Sequence, residues 1–107
     1  MVPRASIQKY ADAIVREFQP QKTILFGSHA CGRPTDDSDV DLMVVMPKHR
    51  RSRRTSTEIR VRLGYAGFPT DLLVWTPERL REWSHAGDAF ARDVLERGQV
   101  LYEHRHP

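Results

Sequence analysis

The chain has 107 residues and a mass of 12.4 kDa. This length predicts one compact domain over residues 1–107, with no room for a second core. Hydrophobic residues make up 39% of the chain and charged residues 29%. These proportions are typical of a soluble globular protein and exclude a disordered or fibrous one.

The single cysteine, Cys31, excludes an internal disulfide framework and a multi-cysteine zinc site. A lone thiol fits a reducing compartment, so we expect a cytoplasmic protein. The longest unbroken apolar run, Leu42 to Met46, is far too short to span a bilayer. Charged residues interrupt the first twenty positions, and we therefore expect neither a secretory signal peptide nor a membrane partner.

The formal net charge of +3 is unevenly distributed along the chain. Residues 48–62 contain seven lysines and arginines and one acid, Glu58, which gives this segment a local charge of +6. A protein that binds nucleic acid over a whole face would spread its cations more widely. The segment is either a solvated loop that leads into a helix or a surface that contacts phosphates or an acidic partner protein.

Hydrophobic periodicity and turn residues predict nine segments in chain order. They are a helix over 6–18, a strand over 23–26, a loop over 27–38, a strand over 40–46, a helix from 55 to about 63, a strand over 70–75, a helix from 77 to near 87, a helix over about 88–97 and a short edge strand over 100–102. These elements predict an α/β (α+β) fold with at least three strands, and helices on one side of the sheet are the expected cover.

Several residues are predicted to end or anchor these helices. Ser6 is the expected N-cap of the first helix, and Thr55 with Glu58 forms a possible capping box for the second. Thr76 followed by Pro77 is a strong start for the third helix. In the last helix we expect Phe90, Val94 and Leu95 to be buried and Gly98 to be the C′ residue.

Three aspartates lie in or beside predicted strands. Alternation of side chains places Asp39 and Asp41 on one face of the second strand, where two like charges about 7 Å apart repel each other. Asp71 opens the third strand, so three carboxylates converge if the two strands are neighbours. Hard oxygen ligands of this kind select Mg²⁺ or Mn²⁺, and two such ions clamp the attacking and leaving oxygens of a phosphoryl displacement.

Two other interpretations of these acids were weighed. In the first, Asp36, Asp37 and Asp39 lie in a turn while Asp41 faces solvent on a half-exposed strand. A calcium loop is excluded, because its sixth position requires Gly and its twelfth Glu, where this chain has Leu42 and Lys48.

Gly27 and Ser28 follow the first predicted strand directly. A glycine there allows close approach of the backbone to a ligand, and free N–H groups at the start of a helical turn cradle phosphate. A Gly-Ser pair alone usually marks an ordinary turn. The segment is not a P-loop, because no Gly-Lys-Ser/Thr follows it.

Gly27-Ser28-x-x-x-Gly32, followed by Ser38-Asp39-Val40-Asp41-Leu42, resembles the motif of the DNA polymerase beta-like nucleotidyltransferases, and more narrowly of the minimal nucleotidyltransferases of bacteria and archaea. The resemblance extends over nearly the whole chain. It implies a small mixed sheet covered by helices, and transfer of a nucleoside monophosphate from an NTP such as ATP with release of pyrophosphate.

The resemblance also implies roles for particular residues. Gly27 and Ser28, with Gly32 and Arg33, would hold the triphosphate. Asp39 and Asp41 would ligate two Mg²⁺ or Mn²⁺ ions, and Asp71 would ligate the catalytic ion and help to deprotonate the acceptor hydroxyl. For minimal members it implies a partner chain, the HEPN toxin. The nucleotidyltransferase is the antitoxin that neutralises this toxin, in some pairs by attaching AMP to a tyrosine.

The chain departs from the family pattern inside the Gly-Ser loop. Many relatives carry Arg or Lys where this chain has His29 and Cys31, and loss of fixed cations beside a triphosphate costs about 3 kcal/mol of charge stabilisation. A catalytically decayed antitoxin that acts by binding its toxin is therefore an alternative function. A small nucleic-acid-binding module built on residues 48–62 is a further alternative, although few aromatic residues lie near its arginines. The sequence leaves the oligomeric state open.

Overall fold

The computed structural model describes residues 2–35, 38–50 and 54–104. Its elements are α1 (Arg4–Phe18), β1 (Lys22–Phe26), β2 (Val40–Val45), a short 3-10 turn (Lys48–Arg50), α2 (Thr55–Leu63), β3 (Thr70–Trp75), α3 (Pro77–His85), α4 (Ala89–Arg97) and β4 (Gln99–Glu103). The predicted types and order of the helices and strands are confirmed. Asp36, Asp37, Arg51 and Arg53, which entered the sequence analysis, lie outside the described residues. Within the described part of the chain, no helix is long and apolar enough to cross a bilayer.

The four strands form one mixed sheet in the order β3-β2-β1-β4. Strand β1 pairs antiparallel with β2 and with β4, whereas β2 and β3 are parallel. The pairing of β1 with β4 shifts register between Thr23 and Ile24. The neighbouring position of β2 and β3, on which the convergence of the three aspartates depends, is therefore observed.

Helices cover both faces of the sheet, so the expectation of a one-sided cover is wrong. On one face, α1 and α2 supply Ile7, Tyr10, Ile14 and Ile59 to a core that includes Leu25, Leu42 and Val44. On the other, α3 and α4 supply Leu80, Ala91 and Val94 to a core that includes Ile24, Met43 and Val45. The reason lies in β2, where four consecutive residues, Leu42 to Val45, are all buried. A strand that is apolar on both faces requires cover on both.

Two predicted helix starts are also corrected. Helix α1 begins at Arg4, with Pro3 in the N-cap position, and the amide of Ser6 donates to the carbonyl of Pro3 (3.0 Å). Helix α2 has Arg54 in the N-cap position, so Thr55 is its first residue and is not the cap. Neither Pro3 nor Arg54 makes a side-chain capping hydrogen bond, so both helices begin without the polar cap that the sequence predicted.

The predicted start of α3 is confirmed, because the Thr76 hydroxyl accepts a hydrogen bond from the amide of Arg79 (3.1 Å) and Pro77 is the first helical residue. Asp88 caps α4 in the same way, by accepting from the amide of Ala91 (2.9 Å). These caps fix both helices over the sheet face that carries Asp41.

The end of α4 differs from the prediction. Phe90 is 37% exposed and Leu95 44% exposed, and only Val94 of the three predicted residues is buried. Gly98 has a φ of −67° and is not a left-handed C′ residue. A Cβ at Gly98 would lie 2.2 Å from the carbonyl oxygen of Val94 and 2.6 Å from Cγ2 of Ile24, so this glycine is required where the end of α4 packs closely against β1.

Candidate active site

Asp41 and Asp71 lie side by side on neighbouring parallel strands. They are register partners in the pairing of β2 with β3, and neighbouring strands are about 4.8 Å apart. Partners in a parallel pair project to the same face, here the face covered by α3 and α4. Asp71 is exposed and Asp41 half-buried. Asp39, also exposed, precedes Asp41 by two residues, so all three predicted carboxylates belong to one end of the sheet.

The charges of these carboxylates interact. Burial raises the pKa of Asp41, and the negative charges of Asp71 and Asp39 raise it further, while His29 opposes the shift. A carboxyl group that is harder to ionise because of two neighbouring acids lies in a place where a cation is stabilising. We refer to Asp39, Asp41 and Asp71 as the acidic cluster.

The donor set of the acidic cluster suits hard divalent cations such as Mg²⁺ and Mn²⁺. Among the described side chains, no three His, Cys, Asp or Glu residues already surround one point closely enough to hold a metal ion without adjustment. The expectation of a metal site therefore depends on three features. All the candidate ligands are carboxylates, Asp41 and Asp71 project to the same face of the sheet, and the negative charges of the cluster repel one another. Small rotations of short side chains at a strand terminus are needed to close such a site.

Gly27 brings the backbone of β1 against this cluster. Strand β1 ends at Phe26, which is the register partner of Asp41, and Gly27 follows with a φ of +77°. A Cβ at Gly27 would lie 2.2 Å from Oδ2 of Asp41. The positive φ favours glycine at this position, and a side chain here would have to displace the Asp41 carboxylate.

The loop after Gly27 forms a compact helical turn. The amides of Ala30 and Cys31 both donate to the carbonyl of Gly27 (3.1 and 3.2 Å), and the amide of Arg33 donates to the carbonyl of Ser28 (3.0 Å). Within the described residues, the amides of Ser28 and His29 donate to no backbone carbonyl. Unpaired amides at the start of such a turn are donors for an anion. We refer to residues 27–33 as the Gly-Ser loop.

His29 ties this loop to the acidic cluster. Its Nδ1 donates to the backbone carbonyl of Asp39 at 3.1 Å, and its Nε2 is buried without a hydrogen-bond partner. In the sequence, His29 stands where many relatives carry a fixed cation. The structure shows that the imidazole links the loop after β1 to the residue before β2, which positions two parts of the site relative to each other.

Gln99 anchors the same loop from the other side, and sequence reasoning missed it. Its Nε2 donates to the carbonyl of Ala30 (2.7 Å), while Nη1 of Arg4 donates to its Oε1. Gln99 belongs to the edge strand β4. Nothing in the sequence marked this glutamine, because its role depends on a strand pairing that periodicity does not reveal.

The remaining predicted residues lie in the loop without a shown contact to the acidic cluster. Gly32 has a φ of +71° and open space around its Cβ position. Arg33 is exposed, and Cys31 is an exposed free thiol. Their assignment to triphosphate binding, in the case of Gly32 and Arg33, stays a prediction.

The sequence profile of the nucleotidyltransferase domain family matches residues 7–101. The chain belongs to this family. The match covers both the Gly-Ser loop and the acidic cluster, and it identifies the chain as an enzyme of the nucleotidyl-transfer class. No curated protein matches the sequence significantly.

Two solved structures share the fold of this nucleotidyltransferase. A proposed nucleotidyltransferase from Sulfolobus solfataricus is 15% identical, with a TM-score of 0.63, over 92% of this chain and 78% of that one. A toxin–antitoxin structure with AMP-PNP is 22% identical, with a TM-score of 0.66, over 92% of this chain and 74% of that one. These likenesses support the mixed α/β architecture and the position of the sheet.

Proposed function

We propose that this nucleotidyltransferase transfers a nucleoside monophosphate, AMP from ATP, to a hydroxyl group of a partner protein and that it uses Mg²⁺ or Mn²⁺. The observation that carries the proposal is the register pairing of Asp41 with Asp71 beside Gly27. The pairing supports the proposal because it brings two carboxylates next to a loop whose first amides donate to no backbone carbonyl within the described residues. Those are the two groups that a nucleoside triphosphate requires.

Each part of the site has a defined task in this reaction. The amides of Ser28 and His29, with Gly32 and Arg33, bind the triphosphate. The acidic cluster holds the divalent ions, which when bound neutralise the charge that develops on the leaving pyrophosphate. The acceptor oxygen forms a bond to the α-phosphorus as the bond from that phosphorus to the pyrophosphate oxygen breaks.

In this proposal Asp71 receives the proton of the acceptor hydroxyl. It is the exposed member of the pair with Asp41, so a protein side chain can reach it from solvent. Asp41, half-buried against Gly27, is the more firmly positioned of the two. This difference in exposure favours Asp71 as the base and Asp41 as a fixed metal ligand.

For the biological role, we infer an antitoxin that acts on a HEPN-type toxin. The inference combines the family membership with the fold shared with a toxin–antitoxin structure that contains AMP-PNP. Modification of a toxin tyrosine is the form of neutralisation that this proposal favours.

The experiment is transfer of label from α-labelled ATP to a co-expressed HEPN-type toxin in the presence of Mg²⁺. We expect labelling of the toxin, with loss of a hundredfold or more, on the order of one missing catalytic contact, in Asp41→Asn and in Asp39→Asn. Glu82→Gln is the matched control, because Glu82 is an exposed acid on α3 outside the acidic cluster. Absence of transfer with saturating metal and ATP overturns the proposal.

One observation favours a second function, an antitoxin that neutralises by binding alone. The Gly-Ser loop presents an imidazole engaged with the Asp39 carbonyl and an exposed thiol, where many relatives carry fixed cations. If toxin neutralisation persists in Asp39→Asn and Asp41→Asn while no label is transferred, this second function replaces the first.

A further inference from the structure

A cavity of about 590 Å³ lies at the end of the sheet opposite the acidic cluster. It is bounded by the end of α1, the start of β1, the segment after β2 and the end of β4. Strand β1 runs from this cavity to Gly27 over five residues, a distance of roughly 17 Å. The cavity is therefore separate from the acidic cluster and from the Gly-Ser loop.

Apart from Tyr102, the ionisable side chains that line the cavity are basic. Arg16 comes from the last turn of α1, Arg50 and His49 from the turn after β2, and His104 from the segment after β4. Among the described lining residues there is no carboxylate. The nearest acid of β4, Glu103, pairs instead with Lys22 at 3.3 Å. Two guanidinium groups with no carboxylate among the described residues of the lining favour an anionic occupant.

Arg50 is held in place without using up its donors. Its Nη1 donates to the carbonyl of Gln19 at the end of α1 (3.0 Å), and a guanidinium carries five N–H donors in a fixed fork. The remaining donors are available for phosphate oxygens. This contact fixes Arg50 at the α1 terminus, on the same cavity as Arg16.

The cavity is larger than a phosphate ion requires and has flat and apolar walls. Tyr102 lines it, with its hydroxyl 3.4 Å from Nδ1 of His104, and Pro47 adds an apolar surface. A volume of about 590 Å³ is in the range of sites for small organic ligands. A tyrosine ring is a platform on which nucleobases stack.

We propose that this cavity is a second site that binds a nucleoside phosphate, with the phosphate on Arg16 and Arg50 and the base against Tyr102. The ligand chemistry is a phosphate ester joined to a planar base, supplied either as a free nucleotide or by an RNA strand. Because the site contains no acidic cluster, binding does not require a divalent cation. The inference is independent of the proposed function, and either can fail while the other holds.

The test is calorimetric titration of the purified chain with AMP, adenosine and a 5′-phosphorylated tetranucleotide, all in EDTA so that metal-dependent binding is removed. We expect AMP to bind at least tenfold more tightly than adenosine and inorganic phosphate to compete with AMP. In Arg16→Gln we expect roughly tenfold weaker binding of AMP, as for a lost charge-assisted hydrogen bond. Tighter binding of AMP than of the tetranucleotide identifies a free nucleotide as the ligand, and the reverse order identifies RNA.

Two variants serve as matched controls. Arg81→Gln removes an exposed arginine from α3 and is expected to leave AMP binding unchanged. Asp41→Asn alters the acidic cluster and is also expected to leave AMP binding in EDTA unchanged. Arg50→Lys retains the positive charge but lacks the planar guanidinium group with its several N–H donors. We expect this variant to bind AMP more weakly than the parent and to have an unchanged melting temperature.

Nuclear magnetic resonance locates the ligand directly. We expect AMP to shift the ring signals of Tyr102 and His49 and to leave the amide signals of Gly27 and Ser28 in place. Equal affinity for AMP and adenosine overturns the proposal. So does a shift confined to the Gly-Ser loop, or binding of a glutamate-rich peptide with no binding of AMP.

Discussion

Gly27 combines two constraints that the other glycines carry separately. Its φ of +77° is unfavourable for any side chain, and its Cβ position lies 2.2 Å from Oδ2 of Asp41. Gly64 also has a positive φ, +72°, with a ψ of −166°, but open space around its Cβ position. A comparison of these two positions separates backbone strain from the contact with the active site.

We expect Gly27→Ala to lower the free energy of unfolding by more than Gly64→Ala, for which the unfavourable backbone conformation alone costs about 1–3 kcal/mol. The larger decrease in the free energy of unfolding of Gly27→Ala would come from displacement of the Asp41 carboxylate. We therefore expect nucleotidyl transfer to fall in Gly27→Ala and not in Gly64→Ala. Denaturant unfolding and label transfer measure the two effects. Equal destabilisation in both variants would show that the Asp41 side chain moves aside without cost.

The ionised side chain of Asp41 lowers the stability of the folded chain at the position where we propose that it binds a metal ion. The pKa of Asp41 is raised above its ordinary value of 3.8 by burial and by the charges of Asp71 and Asp39. Ionisation of this carboxyl is therefore easier in the unfolded chain than in the folded one. As the pH rises from below 3.8 through the raised pKa, Asp41 contributes a loss of stability, and the full penalty is present once the pH is above that raised pKa.

We expect Asp41→Asn to raise the melting temperature at pH 7 by a few degrees while it abolishes transfer, since about 1 kcal/mol corresponds to roughly 4–8 °C for a domain of 60–100 residues. At pH 3 the parent carboxyl is already protonated, so the gain disappears. Scanning calorimetry at both pH values measures the difference. Glu82→Gln, at an exposed acid on α3, is the control and is expected to show no such pH-dependent gain.

At the scale of elements, the edge strand β4 has a task beyond completing the sheet. Through Gln99 it holds the carbonyl of Ala30 and so the Gly-Ser loop. Gln8 makes a comparable bond to the carbonyl of Leu101 in the same strand (3.2 Å) but does not touch the loop. Substitution of Gln99 therefore tests the contribution of a hydrogen bond to the Gly-Ser loop, and substitution of Gln8 tests that of a hydrogen bond to β4 alone.

We expect Gln99→Met to raise the KM for the nucleotide severalfold, because one hydrogen bond that positions the loop is worth about 1 kcal/mol. Gln8→Met is expected to lower stability to a similar extent without changing that KM. Steady-state kinetics with varied ATP, beside thermal denaturation, checks both. A shared increase in KM would mean that β4 as a whole, and not Gln99, positions the loop.

The sequence was sufficient for the elements and for the face on which Asp41 projects, because side-chain alternation along a strand is a local property. It was not sufficient for the pairing of Asp41 with Asp71, since periodicity does not specify which strands are neighbours. The one-sided cover was wrong for a related reason. The continuous buried run in β2 is visible in sequence, but which helices cover each face depends on tertiary packing. The role of Gln99 could not be predicted from the sequence, because it depends on the pairing of an edge strand.

On the scale of the whole molecule, the acidic cluster and the basic cavity lie at opposite ends of the sheet. The acidic cluster lies where β2 and β3 begin, and the basic cavity with Arg16 and Arg50 lies where β2 ends. Antiparallel pairing of β1 with β2 joins the two ends through a continuous buried core. An anion approaching the chain thus meets an attractive surface at one end of the sheet and, without divalent cations, a repulsive one at the other.

This separation predicts how divalent cations change the stability of the whole chain. Repulsion within the acidic cluster is present in the folded state and largely absent when the chain unfolds, so binding of Mg²⁺ or Mn²⁺ to the cluster stabilises the fold. At a metal concentration one hundred times the dissociation constant, the gain is about 2.7 kcal/mol. We expect the melting temperature of the parent to rise with Mg²⁺ at constant ionic strength, and that of Asp41→Asn to stay nearly unchanged. Glu82→Gln should respond as the parent does. If Mg²⁺ raises the melting temperature of Asp41→Asn as much as that of the parent, the ion binds elsewhere and the acidic cluster is not its site.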